Sequence, residues 1–243
     1  MSFGPFILDG GVESIHQIFS RLFPFSRGLV HEYWAPNIWA LYYLSDKLLN
    51  VVLAKMGMRF DQSGSGLRVL PEVPAPLTLL LIVLMILPLM YRSWMKPKDR
   101  FVELLCICGL IFFEFGFHVH EKAITPYLNI LFIFLSPAFI DLAIFVNIVN
   151  LLPLLIDPAS VMVSIGFSVL WILIWSIRKG HAFSTFEMVM IGSGMSIVMY
   201  HNLIHPLIEK PQIAFVPLML NSVWSAAFNV VWIGKLYFDY IVH

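Results

Sequence analysis

The chain has 243 residues, 59% of them hydrophobic and only 12% charged, with a mean hydropathy of +0.84. That composition excludes a soluble globular domain and indicates an all-α polytopic membrane protein. Lys plus Arg and Asp plus Glu balance at 15 each, so net charge gives no preference for nucleic acid or for acidic substrates.

The amino terminus, MSFGPFILDGG, has neither a basic n-region nor an apolar core long enough for a signal peptide, and it reads as a continuation of something upstream. Residues 1–38 form an amphipathic, aromatic segment broken by Pro24, Gly28 and Pro36, a composition suited to the cytosolic headgroup layer. A first span is expected at 39–56, imperfect because it contains Asp46 and Lys47, and a polar loop follows at 57–76. Further spans are expected at 77–94, 101–117, 161–177, 186–204 and 215–237. The apolar stretch 130–156 reads as two short spans meeting near Pro137, so that residues 39–243 form one transmembrane domain of about eight helices.

Lysine and arginine set the expected orientation. With the basic turn at Lys96, Lys98 and Arg100 cytosolic, alternation adds Arg21, Arg27, Lys47, Arg92, Arg178, Lys179 and Lys235 to that side, ten in all. Lys55, Arg59, Arg68, Lys122 and Lys210 make five on the other side. Both termini are then cytosolic. No Asn-x-Ser/Thr acceptor is present to mark the opposite face.

The end of the 101–117 run carries the strongest chemical signal. Residues 115–122 read FGFHVHEK, where apolar sequence gives way to two histidines, a carboxylate and an ammonium. Ionisable groups at the mouth of a span are expensive unless they meet a partner, a substrate or water. On a continuing helix Glu114, His118, Glu121 and Lys122 would share one face, with His120 pointing elsewhere. On the charge count this cluster opens away from the cytosol.

Other groups read more plainly. His201 and His205 have metal-ligand spacing but fall short of the three or four ligands that zinc takes, so no metal is expected. Asp141, Asn147 and Asn150 could line an aqueous passage, and more commonly such residues cap a helix or bond to a neighbouring one. Asp157 and Glu187 stand where helix N-termini favour carboxylates. Cys106 and Cys108 read as packing residues. No nucleotide-binding or hydrolase motif is present, and no cofactor or nucleic-acid partner is expected.

Three stretches carry a resemblance: RLFPFSRGL at 21–29, HEYWAPNIWALYY at 31–43 and FGFHVHEKAI at 115–124. They resemble the endoplasmic-reticulum α-1,3-glucosyltransferases that use dolichyl phosphate glucose, a family with the multispanning GT-C fold. Within it, YWAPN at 33–37 is similar to members that add the second glucose. The resemblance implies a multi-pass protein of that membrane whose site takes dolichyl phosphate glucose and a dolichyl-pyrophosphate-linked oligosaccharide already carrying one glucose. His120 and Lys122, assisted by His118, are then expected to hold the donor phosphate, with Glu121 and Glu114 in support. Family members place their general base in an acidic lumenal loop of an amino-terminal half that has no counterpart here. Asp61 and Glu72 do not match that motif, so the chain is expected to be a carboxy-terminal portion without a catalytic base and inactive alone. The other readings are the family enzyme that adds the first glucose, a non-catalytic membrane subunit, and a transporter using Glu114, His118 and Lys122. A transporter would call for internal repeats or paired broken helices, which the sequence lacks.

Overall fold

The computed structural model of the chain describes residues 4–22, 28–31, 33–58, 60, 66–96, 100–154, 160–208, 210 and 213–242. Among these residues there is no strand. The helices in chain order are α1 (Gly4–Leu22), α2 (Ile38–Lys55), α3 (Ala75–Met95), α4 (Phe101–Phe115), α5 (Thr125–Phe134), α6 (Ile140–Leu151), α7 (Ser160–Lys179), α8 (Thr185–Met199) and α9 (Val216–Val242).

Three of the described helices are long and apolar enough to cross a membrane: Ala75–Met95, Val161–Lys179 and Val216–Val242. The helices α4, α5, α6 and α8 have 15, 10, 12 and 15 residues. At 1.5 Å per residue they rise roughly 15–22 Å, against the ~30 Å of a hydrocarbon core. The structure is therefore all-helical as expected, with fewer full-length spans than the eight counted from hydropathy. The short pair expected around Pro137 is present as α5 and α6, joined by an exposed turn.

The core is built around α6. Its Leu142, Ala143, Phe145 and Val146 are completely buried. A helix that is apolar all round has to be enclosed on all sides, and α5, α7, α8 and α9 do so. The approach of α8 depends on Gly194, where an added Cβ would stand 2.8 Å from Trp224 and 2.9 Å from Phe145. Because Phe145 has nowhere to retreat, Gly194→Ala is expected to cost about 1–3 kcal/mol. Thermal unfolding in detergent checks this, and an unchanged transition would refute it.

The helix ends are tied as their sequences suggest. Ser184 and Glu187 form a capping box at the start of α8, bearing out the helix-start reading of Glu187, and Glu187 also meets Lys179. Asp141 in the first turn of α6 pairs with Arg178 at 3.0 Å. At the far end of the bundle Arg92 donates to the Tyr240 carbonyl and Arg100 to that of Asp239, each at 3.4 Å. These arginines supply partners to carbonyls that the last turn of α9 leaves open. Cys106 and Cys108 are free and sit among apolar neighbours, as their spacing suggests.

The expected first span at 39–56 takes a different course. His118 N–H donates to the Leu29 carbonyl at 2.8 Å, so the chain at 28–29 lies beside the end of α4. From there it descends along α9: Ser222 binds the Trp34 carbonyl at 2.8 Å, and Asn229 the Pro36 carbonyl at 2.9 Å. Seven residues of α9 separate those contacts, about 10 Å of depth. Asn37 then caps α2 through Trp39 N–H and donates to the Phe113 carbonyl at 2.9 Å. The new helix climbs back out, because Asp46 accepts from the N–H groups of Arg68, Val69 and Leu70, just ahead of α3.

Residues 28–55 are thus a re-entrant element with both limbs at the same end of the bundle. A loop beneath the surface is tolerated where it is enclosed by protein, and the helix polar groups meet that condition here. This places Lys47 at the cluster end, so the ten-to-five charge bias becomes nine to six on that residue alone. Arg21 and Arg27 also lose the span that assigned them to the far end. Arg27, Arg59, Lys98, most of the RLFPFSRGL stretch, Asp61 and Asp157 lie outside the described residues.

Candidate functional site

The helix that was to carry the polar cluster ends at Phe115, because Gly116 leaves the helical conformation with ψ near 149°. An added Cβ at Gly116 would stand 2.4 Å from the Phe112 carbonyl oxygen, so only glycine permits this tight exit. His118 follows with a left-handed φ of 54°, His120 is extended, and Glu121–Ile124 form one 3-10 turn. Glu114, His118, Glu121 and Lys122 therefore do not share a helix face. The turn separates them into distinct surroundings.

His118 and His120 are joined by His31, the first residue of the family-like stretch 31–43. The His31 ring centroid is 5.7 Å from that of His118 and 4.8 Å from that of His120, and His118 and His120 are 5.7 Å apart. His118 Nδ1 lies 3.0 Å from the Gly28 carbonyl oxygen, so that nitrogen carries the hydrogen. His31 Nδ1 is buried with no hydrogen-bond partner among the described residues. Three half-buried imidazoles thus form one surface. Lys122, two residues after His120, is exposed, with no ion pair among the described residues.

The two carboxylates also differ from expectation. Glu121 is 5% exposed and makes no ion pair with Lys122 or with His120 among the described residues. Its charge is instead felt by Tyr33 in the re-entrant segment, whose hydroxyl is held well above its ordinary value, first by burial and then by Glu121. A neutral Tyr33 donates to the Asn150 carbonyl and accepts from Asn221 Nδ2 at 3.2 Å. Glu114, also buried, accepts from Ile38 N–H at 3.1 Å, while its other oxygen has no hydrogen-bond partner among the described residues. It sits at the amino-terminal end of α2.

Behind the imidazoles lies a hollow of about 1140 Å³ between α3, α4 and the segments 28–30 and 72–76. Its lining is mostly apolar, including Leu29, Ile82, Phe112, Phe113, Phe117 and Val119. Gly28, Leu29 and the residues on either side of His118 belong to this wall, so the hollow and the histidine surface share it. The apolar walls suit a hydrocarbon chain, Glu72 is the charged side chain among them, and the imidazoles stand beyond the shared wall rather than in the lining.

The other candidates have structural roles. His201 lies in a π-helical turn at Tyr200–Ile204, and His205 Nδ1 lies 3.3 Å from the Tyr200 hydroxyl. No group of three or more metal-ligating side chains occurs among the described residues. Asn147 binds Asn229 of α9, and Asn150 meets Tyr33, so both bond across to neighbouring elements.

The fold and site define an all-helical protein, apolar enough for a membrane, with an apolar hollow and a separate histidine surface adjoining one of its walls. A family model described as the ALG6, ALG8 glycosyltransferase family matches residues 1–235, and the chain belongs to that family. A Gibberella zeae protein named dolichyl pyrophosphate Glc1Man9GlcNAc2 alpha-1,3-glucosyltransferase is 31% identical over 97% of this chain and 52% of its own length. A Schizosaccharomyces pombe protein of the same name is 33% identical over 96% of this chain and 51% of its own. One from Mus musculus is 44% identical over 51% of this chain and 26% of its own. The chain spans about half the length of the curated relatives it matches along nearly its whole extent.

Proposed function

We propose that this chain is the carboxy-terminal part of an enzyme that moves glucose from dolichyl phosphate glucose to the monoglucosylated dolichyl-pyrophosphate-linked oligosaccharide, forming an α-1,3 bond. The observation that carries this reading is the wall common to the apolar hollow and the histidine surface. A donor with a long isoprenoid chain and a sugar phosphate needs both environments within reach of each other. The relatives' names supply the acceptor. The membrane is that of the endoplasmic reticulum, with the histidine surface on the lumenal side.

In this reaction an acceptor hydroxyl oxygen attacks the anomeric carbon and the bond from that carbon to the phosphate oxygen breaks. The electron pair leaves with the phosphate. The hydroxyl proton goes to a base in the amino-terminal part of the enzyme. His120, Lys122 and His118 take the departing phosphate, donating hydrogen bonds that strengthen as its charge grows. Glu114 supports them by fixing the start of α2 beside the end of α4. Glu121, buried in the 3-10 turn that also carries Lys122, supports them from beneath that turn.

The test is glucosyl transfer in membranes from cells that lack the second-glucose enzyme. These would carry the 243-residue chain, a version extended by the amino-terminal half of a relative, or the extended version with His120→Ala or Lys122→Ala. Transfer is expected only in the extended form. Each substitution should lower it by about 10²–10³-fold, the scale of losing one preorganised donor. Activity in the short chain would overturn the assignment of the base to the other half, and unchanged activity in the variants would overturn the phosphate role.

A further inference from the structure

The polar residues of α9 have no part in the chemistry above, yet Asn221, Ser222, Ser225 and Asn229 are all buried. Asn229 is the most fully engaged. Its Nδ2 donates to the Pro36 carbonyl at 2.9 Å and to Asn147 Oδ1 at 3.2 Å, and its Oδ1 accepts from Asn147 Nδ2 at 3.1 Å. Asn147 gives its second hydrogen to the Ala143 carbonyl at 2.8 Å. Every donor and acceptor of these two amides is used, and two buried amides that satisfy each other have one orientation available.

That orientation aims a donor at the carbonyl of Pro36, at the bottom of the re-entrant turn. On its other side the same turn is held by α4, through Asn37 to the Phe113 carbonyl and Trp39 Nε1 to the Gly116 carbonyl. His31 lies five residues before Pro36 on the descending limb. It reaches the other two imidazoles only if the turn sits at the correct depth. A hydrophobic residue at 229 could fill the same space, but the bottom of the turn would then lose its hydrogen bond to α9 and be held from the α4 side, with Ser222 on the Trp34 carbonyl above it.

We propose that Asn229, oriented by Asn147, is a positioning residue that fixes the depth of the re-entrant turn and so brings His31 onto His118 and His120. The assignment rests on reading the histidine surface as the donor-facing one. The experiment measures only the separation of positions 31 and 120, so its failure and the failure of that reading are distinguishable.

In a Cys106→Ser, Cys108→Ser background, His31→Cys and His120→Cys would be bridged by a short bifunctional thiol reagent. The joined peptides would be quantified by mass spectrometry. Asn229→Leu is expected to slow bridging about tenfold, the effect of losing one or two buried hydrogen bonds. Ser225→Ala is the comparison, because Ser225 donates to the Val146 carbonyl between the same two helices without touching the turn. It should leave the rate unchanged. Asn147→Ala, which leaves Asn229 unoriented, should slow bridging in the same direction and serves if Asn229→Leu does not accumulate. A parental rate in the Asn229 and Asn147 variants, or equal slowing by Ser225→Ala, overturns the proposal.

Discussion

Asp46→Ala is expected to destabilise the chain by about 2–4 kcal/mol and to free the 66–74 segment for proteolysis. The carboxylate is 3% exposed, and it accepts from three successive backbone N–H groups: Arg68 at 3.0 Å, Val69 at 2.7 Å and Leu70 at 2.8 Å. Removing it strands those donors, each costing roughly 1–3 kcal/mol where water cannot replace it. Arg68 is exposed, so its N–H recovers a water partner, and the estimate falls in the lower part of the summed range.

Asp46 also gives the effect a pH signature, since it lies in α2, outside the spanning helices. Burial raises its pKa, but the N–H groups of Leu70, Val69 and Arg68, with Lys47 nearby, outweigh that and hold it below the ordinary 3.8. A carboxylate whose folded value is depressed contributes stability above its unfolded value and loses it as the pH falls through the folded one. The parent's advantage over Asp46→Asn is therefore expected to be constant at neutral pH and to shrink below about pH 4. Thermal unfolding of both proteins across that range measures it. A constant difference down to strongly acidic pH would refute the charge-based account.

Gly109→Ala is the second large effect, and it tests the hollow directly. An added Cβ would stand 2.0 Å from Tyr127 Cε1 and 2.3 Å from its Cζ, so the ring has to move. Gly109 and Tyr127 both line the hollow, and the displaced ring either enters it or pushes α5 away from α4. The expected cost is about 1–3 kcal/mol, and under the proposed function it comes with weaker retention of a lipid-linked sugar phosphate. In the double variant Gly109→Ala, Tyr127→Ala the clash is absent, and the coupling between the two sites should recover most of that cost. Strictly additive losses in stability and binding would mean that the contact does not shape the hollow.

Much of this architecture could be read from residue patterns. Apolar runs separated by basic turns gave α3, α4 and α7–α9 to within a few residues, because chain-local hydropathy is what a bilayer selects. The break near Pro137 and the capping role of Glu187 are equally local. The course of 28–55 is not. Asp46 and Lys47 looked like defects in a span, whereas Asp46 is buried because its partners arrive more than twenty residues later.

The histidine surface shows the same division. His118 and His120 were visible as an interruption of apolar sequence. His31 was not, since its ring contacts form only when the re-entrant limb returns to the end of α4. One available signal was overlooked: Gly116, two residues before His118, argues against a continuing helix and against the shared face drawn for Glu114, His118, Glu121 and Lys122. Another was the spacing of Asn221, Ser222, Ser225 and Asn229, which falls on one side of a helix and marks a buried polar partner.

The re-entrant course has a consequence for parity. A segment that leaves through the face by which it came contributes no net traverse, so α2 drops out of the reckoning of sides. From Gly28, beside His118, to the end of α9, beside Arg100, the chain makes an odd number of net traverses. An epitope placed next to Met58 and one fused after residue 242 then report from opposite aqueous compartments. In sealed vesicles one should be shaved by added protease and the other spared, whichever way the vesicles face.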